Sequence, residues 1–568
     1  MKLVDNKGKR ENIICALVLL GVFLIGSLPA FRSGVYNGFD LWYHMGRIES
    51  IATELSNGQF PVRYESLSWY GNGYISTTMY GNILLYIPAL LHIVGLSTYR
   101  CYNFYVLLIN ILGIVACYYS FKGLYKDSIW ATVSTGMYML SGYYLSNLYM
   151  RAALGEYTAM AFLPLVVYGI YRIYFEEVDG ALKGVTPLVL GVTALLQSHV
   201  LSTMMVALAV FVFMLCHIKE TIANIKKLVV ALVVILLVNA FFIIPFIDSY
   251  ASYTFNASVE TVGSNIQRYG LYPGQLLGLF TEASGSRVEW SSEGKEYLRI
   301  GIVHVMALVT AIIGLVINKN TKRYKSFVVI LGIGVLAAWL SSAYFPWSIF
   351  AGDNAASNIM RAVQYPSRYL LLQTVCWNVC GIYTLRQLGA KLEGNKQVIY
   401  SIGTLVIVGT LALAQTGVFM YTLSNRNRTI QVVEGHESIA DALYLQVGTD
   451  TENLATTAAP IDSEAKVTDL GYKGKWRYIS IDNQEESNAD ILVPVFNYKY
   501  IKAFDSNGNE LALQQGDNNQ YKLSIASGFN DTVKVGFVEP LAWRLSEVIT
   551  LITIVVLIMW GLSIKGKR

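Results

Sequence analysis

The sequence predicts a polytopic α-helical membrane protein of about twelve spans, with a C-terminal extracytoplasmic β-sandwich domain closed by a last transmembrane helix. Three observations predict it. Apolar residues make up 54% of the chain and charged residues only 14%, against about a quarter charged in soluble proteins. The apolar residues gather into blocks about as long as a hydrocarbon core is thick. The basic residues between those blocks fall on alternate loops, as the positive-inside rule demands.

The first apolar block, 12–31, follows a basic tail with Lys2, Lys7, Lys9 and Arg10. Ser27-Leu28-Pro29-Ala30 is a poor cleavage site, so the block reads as a retained first helix, with a signal anchor as the alternative. Further spans fall near 100–121, 128–147, 157–175, 184–198, 200–217, 228–247, 298–317, 326–343, 369–385, 397–421 and 547–564. With the tail inside, the inner loops hold Lys122/Lys126, Arg172/Lys183, Lys219/Lys226/Lys227 and Lys319/Lys322/Arg323/Lys325. The same side then holds Arg386/Lys391/Lys396 and Lys565/Lys567/Arg568. Segment 80–94 breaks the pattern, because counting it as a crossing would put every later basic loop outside. It is short and contains Pro88 and His92, so it is placed as an interfacial or re-entrant helix. Both termini are then cytoplasmic, in a bacterial-type cytoplasmic membrane.

This map divides the chain into a multi-span domain (1–421, with a long first outer loop at 32–99), an extracytoplasmic β-rich domain (422–543), and a final span with a basic cytoplasmic tail (544–568). Within 422–543, apart from 432–439, short alternating runs such as Trp476-Arg477-Tyr478-Ile479-Ser480-Ile481 are separated by Asn-, Asp- and Gly-rich turns. That is the pattern of a small β-sandwich. All six cysteines (Cys15, Cys101, Cys117, Cys216, Cys376, Cys380) lie in apolar blocks and read as small hydrophobes, with no disulfide or zinc spacing. The net charge of +5 is spread over membrane loops; nothing in it speaks for a nucleic-acid partner.

The residues with chemical capacity sit at the outer ends of the blocks. In Gly38-Phe39-Asp40-Leu41-Trp42-Tyr43-His44-Met45-Gly46-Arg47 the acid, imidazole and guanidinium are spaced i, i+4, i+7, so a helix would present all three on one face. Such a set suits a phosphate and a proton transfer; equally, Asp40 caps a juxtamembrane helix and His44 and Arg47 anchor it at the interface. A second acid, Glu156, follows Arg151 at another outer corner, where a solvated charge is the plain alternative. His199 occupies an outer tip between two short helices, a common interfacial position. In Gln364-Tyr365-Pro366-Ser367-Arg368, Pro366 opens a helix and leaves Arg368 near its positive end, where an anion binds or the side chain snorkels to headgroups. Almost no ionisable residue falls mid-span, which favours chemistry at the surface over ion-coupled transport.

Taken in order, Phe39-Asp40-Leu41-Trp42-Tyr43-His44, Asn57-Gly58-Gln59-Phe60-Pro61-Val62-Arg63, Tyr70-Gly71-Asn72-Gly73-Tyr74, Arg151…Glu156, His199 and Gln364-Tyr365-Pro366-Ser367-Arg368 resemble a known pattern. The chain resembles GT-C-fold bacterial membrane glycosyltransferases, and more closely the "6-pyruvoyl-tetrahydropterin synthase-related" membrane proteins, relatives of the YfhO-type lipoteichoic-acid glycosylating proteins. That label does not imply pterin chemistry. The resemblance implies a GT-C-like membrane domain and an inverting enzyme moving a sugar from a polyprenyl-phosphate donor to a cell-envelope glycan or polymer. It implies that Asp40 is the first-loop carboxylate, acting as base or metal ligand, and Glu156 the second-loop acid. It further implies that Arg368 contacts the donor phosphate and that Arg151 and His199 line the cleft; His44 and Arg47 are candidates for the same phosphate. The chain departs from the pattern in having no Asp-x-Asp pair at either corner. That departure bears on whether a divalent cation (Mg or Mn) is held, for which Asp40 and Glu156 are the ligands available. It also has no Trp-Trp-Asp signature, which argues against a peptide acceptor. Two other classes stay open: a transporter or flippase for a lipid-linked glycan, and a non-catalytic envelope-assembly protein that binds through its β-domain.

Overall fold

The computed structural model describes residues 2–260, 266–273, 276, 300–352, 354–426, 429–430 and 441–565. The 432–439 run, and residues 261–265, 274–275 and 277–297 of the expected outer segment 248–297, lie outside the described residues. In chain order the longer helices are α1 (Lys2–Gly26), α2 (Leu41–Ser56), α3 (Thr98–Tyr125), α4 (Ser128–Met139), α5 (Leu154–Phe175), α6 (Ala181–Leu196) and α7 (Val200–Cys216). They continue as α8 (Ile225–Val238), α9 (Ala240–Ser252), α10 (Ile302–Ile317), α11 (Tyr324–Leu340), α12 (Leu370–Gly389), α13 (Asn395–Arg426) and α14 (Leu541–Lys565).

The chain is a membrane protein by the character of these helices. Among the described residues, Thr98–Tyr125, Leu154–Phe175, Asn395–Ser424 and Leu541–Ser563 are each long and apolar enough to cross a bilayer. Five further apolar helices run to 10–17 residues, Ile83–Ile93 among them, the segment expected at the interface. Along α14, Leu545, Val548, Leu551, Ile552, Val556 and Ile558 are half or more exposed, a side-chain surface that only lipid or another apolar partner solvates.

The chain forms two compact units, and neither is contiguous in sequence. The first gathers Met1–Leu41, Asn103–Ile235 and Thr261–Gln431. Its helices pack closely because small residues stand at the crossings: a Cβ on Gly381 of α12 would lie 2.9 Å from the backbone of Ala307 on α10. A two-residue ladder joins β1 (Val35–Tyr36) to β2 (Thr429–Ile430), antiparallel.

The second unit gathers Trp42–Tyr102, Leu236–Glu260 and Val432–Arg568. Its centre is a pair of antiparallel sheets. One has four strands, in the order β3 (Ala459–Ile461), β6 (Ala489–Phe496), β10 (Gln520–Ile525), β9 (Leu513–Gln515). The other has five, in the order β4 (Lys466–Lys473), β5 (Trp476–Asp482), β11 (Asn530–Phe537), β7 (Ile501–Phe504), β8 (Glu510–Leu511). Ile479 and Ile481 of β5 alternate with partly exposed neighbours and share one core with Val533 and Val535 of β11 and Ile491 and Val493 of β6.

From Trp42 on, the first long loop belongs to this unit and is tied to the sheets through buried polar groups. Arg63 donates to Glu539 at 3.1 Å, to Glu547 at 2.9 Å and to the Phe241 carbonyl at 2.8 Å. Arg477 pairs with Asp469 at 2.6 Å and donates to the Gly71 carbonyl at 3.1 Å. Asp248 of α9 accepts from Lys499, Tyr500 and Trp543 at 2.8, 2.6 and 2.9 Å. Linear reading of the sequence separates 32–99 from the β-rich stretch; these contacts join them.

Candidate active site

Five of the residues singled out from the sequence meet in the first unit: Asp40, Arg151, Glu156, His199 and Arg368. Glu156 lies in the first turn of α5, and Arg151, His199 and Arg368 lie just ahead of α5, α7 and α12.

Asp40 is fixed by its backbone. Its N–H donates to the Arg151 carbonyl at 2.8 Å, and the turn before it lies so close to the 151–152 backbone that only glycine fits. A Cβ on Gly38 would stand 2.7 Å from the Cβ of Ala152 and 2.9 Å from its nitrogen. The helix expected to carry Asp40, His44 and Arg47 on one face begins at Leu41, so Asp40 lies ahead of it and is aimed by this backbone contact instead. Its side chain keeps 43% of its accessible surface.

Arg151 and Glu156 are brought together by a reversal of the chain. Residues 146–150 form a wide π-type turn, Ala152 takes a left-handed φ of 52°, and α5 starts at Leu154. Glu156 in the first turn of α5 is placed at the positive helix end, and Arg151 folds back to donate to it at 2.7 Å. The same guanidinium donates to Asn147 at 2.7 Å and stands 3.9 Å from Asp40. Glu156 is 1% exposed and also accepts from the Tyr143 hydroxyl and, at 3.3 Å, from Asn147.

Arg368 approaches from the turn before α12. Its Nε lies 3.6 Å from Glu156, while its Nη1 donates to the Val363 carbonyl and the Gln364 amide oxygen at 2.9 and 2.6 Å. Gln364 takes a left-handed φ of 68°, which turns the segment so that Pro366 opens the following helical turn. His199 caps α7: its Nδ1 accepts from the Ser202 backbone N–H at 3.2 Å.

The electrostatics divide the two acids. Glu156 has its charge balanced at short range by two guanidiniums. Asp40 has Arg151 at the edge of ion-pair distance. The protein packed around it pushes its carboxyl above the ordinary aspartate value, with Arg151 and Arg368 opposing and Glu156 adding to the rise. Because nearly half of that side chain still meets solvent, water tempers the push. Burial, reinforced by Arg368 and Arg151 against Glu156, moves His199 down to about 3. At neutral pH it is therefore an uncharged hydrogen-bonding group.

Among the described residues no group of three or more His, Cys, Asp or Glu side chains is placed to hold a metal ion. Arg151 stands between the two carboxylates, 2.7 Å from Glu156 and 3.9 Å from Asp40. A divalent cation would share that space with a fixed positive charge, so this donor pair does not fit one.

His44 and Arg47 belong to the second unit. Arg47 is 1% exposed, donates to the Gly81 carbonyl at 2.9 Å and lies over the Tyr80 ring at 4.3 Å. The sequence reading missed Tyr143 and Asn147, the hydrogen-bonding partners of Glu156. Both fall in the last turns of an apolar block where polar side chains with no helical partner are costly; Asn147 four residues before Arg151 was the available signal.

No family model matches the chain. A protein of Lactococcus lactis subsp. cremoris (strain MG1363), named only as an uncharacterized protein, is 22% identical over 261 residues, 44% of this chain and 42% of that protein. Among solved structures the chain is similar to the apo oligosaccharyltransferase of Archaeoglobus fulgidus, at 10% identity and a TM-score of 0.45. It is likewise similar to the archaeal oligosaccharyltransferase AglB from Archaeoglobus fulgidus in complex with an inhibitory peptide and a dolichol-phosphate, at 12% identity and a TM-score of 0.44. Each of those two comparisons covers 73% of this chain and 56% of the other. ArnT from Cupriavidus metallidurans bound to undecaprenyl phosphate is similar at 13% identity and a TM-score of 0.36, over 72% of this chain and 74% of that one. The chain thus spans less than half of the Lactococcus protein and little more than half of the oligosaccharyltransferases.

Proposed function

We propose that this protein is a membrane glycosyltransferase of the inverting, GT-C type, moving a sugar from a polyprenyl-phosphate-linked donor to a cell-envelope glycan or polymer of the lipoteichoic-acid kind. One observation carries the reading: a half-exposed carboxylate, Asp40, stands 3.9 Å from an arginine that is itself locked, with a second arginine, on a buried acid. The set sits where three largely apolar helices begin.

The chemistry follows from charge. A hydroxyl of the acceptor attacks the anomeric carbon, its proton passes to an Asp40 oxygen, and the bond from that carbon to the phosphate oxygen breaks. The new C–O bond forms on the opposite face, so the configuration inverts. Charge grows on the departing phosphate, and fixed guanidiniums are the groups that stabilise it without reorganising; Arg368 and Arg151 supply them. Glu156 is a positioning residue that holds both arginines. His199, neutral, offers a hydrogen bond without adding charge. No step is assigned to His44 or Arg47.

The location is part of the same proposal. The basic loops support a topology with both termini in the cytoplasm and the helix ends bearing Glu156, His199 and Arg368 on the outer face, where a lipid-linked sugar presents its headgroup.

The test is sugar transfer from a polyprenyl-phosphate donor in isolated membranes. Asp40→Asn should lower kcat by about 10²–10⁴-fold and Arg368→Ala by about 10²–10³-fold, with both variants inserted and monodisperse. Full activity in both overturns the reading.

A further inference from the structure

The helices that carry the acid cluster at their N-terminal ends also line a partly open apolar cavity further along. It has a volume of about 150 Å³ and is walled by α5, α7, α11 and α12, with Val166, Val210, Ile330 and Val379 among its lining residues. Arg323 stands at one end of it. The guanidinium lies over the Tyr171 ring at 4.7 Å and the Phe175 ring at 5.8 Å. Among the described residues no carboxylate pairs with it. The turn that bears it, 318–325, holds Lys319, Lys322, Arg323 and Lys325 and no acid.

We infer that this cavity holds an acyl chain of an anionic diacyl phospholipid whose phosphate is bound by Arg323. A hydrocarbon-lined cavity of this kind offers water too few polar partners and accepts an apolar group instead. Cation–π contact with two aromatic rings holds the guanidinium at this end of the pocket, and a guanidinium fork matches a phosphate. The neighbouring lysines add the field that draws anionic headgroups to a membrane surface.

Distance separates this lipid from the donor of the proposed reaction. Glu156 and Tyr171 are fifteen residues apart on α5 (171 − 156), or roughly 22 Å along a helix. That is most of a hydrocarbon core of about 30 Å. A phosphate at Arg323 and a phosphate at Arg368 therefore belong to opposite leaflets. The inference does not depend on the chain being a transferase.

The test uses the full chain in nanodiscs and a phosphatidylglycerol carrying a photoactivatable group near the end of one acyl chain. Cross-links should fall on peptides of α11 and α12. Unlabelled phosphatidylglycerol should compete at least tenfold better than phosphatidylcholine or undecaprenyl phosphate. Arg323→Ala should cut labelling at least fivefold and Arg323→Lys less than twofold, while Ala209→Phe, which fills the cavity, should abolish it. The wild-type competition stands even where a variant fails to fold. Equal competition by phosphatidylcholine, stronger competition by undecaprenyl phosphate, or unchanged labelling in Arg323→Ala overturns the inference.

Discussion

Replacing Glu156 with Gln isolates the charge at the centre of the cluster, because the amide keeps the shape of the side chain and removes only its anion. The carboxylate is 1% exposed, with Arg151 at 2.7 Å and Arg368 at 3.6 Å. At an effective dielectric near 20 those separations correspond to attractions of about 6 and 5 kcal/mol. Most of each is offset by the cost of desolvating the ions. What a single substitution exposes is the remainder: two guanidiniums left in a buried site, with Asp40 the more distant counter-charge, 3.9 Å from Arg151. Removing one member of a buried ion pair costs about 3–5 kcal/mol, and that is the loss expected for Glu156→Gln in equilibrium unfolding in mixed micelles. The cycle sharpens the reasoning. Arg151→Gln removes the partner, and the double variant should recover about 2 kcal/mol or more relative to the sum of the single losses, since contacting charges are not additive. A loss under about 1 kcal/mol in Glu156→Gln, or additivity within about 0.5 kcal/mol, refutes the view that Glu156 holds the arginines.

Other perturbations probe the remaining parts. Gly38→Ala places a methyl 2.7 Å from the Cβ of Ala152; overpacking of that kind costs about 1–3 kcal/mol and should displace Asp40, so transfer activity should fall along with thermal stability. Glu539 gives a pH dependence: burial, helped by its neighbour Glu547 and opposed by Arg63 and Arg544, raises it from 4.5 to about 7. A raised acid favours the protonated folded state, so its stabilisation is complete below about 4.5 and is lost as the pH rises through 7. The contribution of Glu539, read as the difference between wild type and Glu539→Gln in unfolding titrations, should fall by at most about 1.4 kcal/mol per pH unit across that window. For topology, in a Cys216→Ser background, Asn507→Cys should react with an impermeant thiol reagent added to whole cells and Asn320→Cys should not; the opposite pattern overturns the outer placement of the site.

The sequence showed the membrane class and the β-rich C-terminal stretch because each is written in a local periodicity: long apolar blocks for one, alternating runs such as Trp476 to Asp482 for the other. The partition of the chain was not legible. Arg63 lies 476 residues before Glu539, yet the two meet at 3.1 Å, and no local pattern announces a buried pairing across that separation. Charged residues in the first loop read as solvated until their partners are known, and Arg477 holding the Gly71 carbonyl is hidden in the same way.

The site divides along the same line. That acids and arginines would gather at helix ends was readable, since the apolar blocks exclude them. Which acid does which job was implied by the resemblance alone and not by residue type, because Asp40 and Glu156 differ in surroundings and not in type. A reversal with a left-handed Ala152 pulls Arg151 onto Glu156, and the Tyr143 hydroxyl and Asn147 complete its shell. A carboxylate so enclosed has its lone pairs occupied and little reach toward an arriving hydroxyl. Asp40, held by its own backbone N–H and by the space that Gly38 leaves open, keeps an accessible oxygen beside one guanidinium. In the proposed transfer the base must meet the substrate and the counter-charge must not move. Under that proposal, its exposure suits Asp40 to the first task, and its burial suits Glu156, which the arginines already surround, to the second.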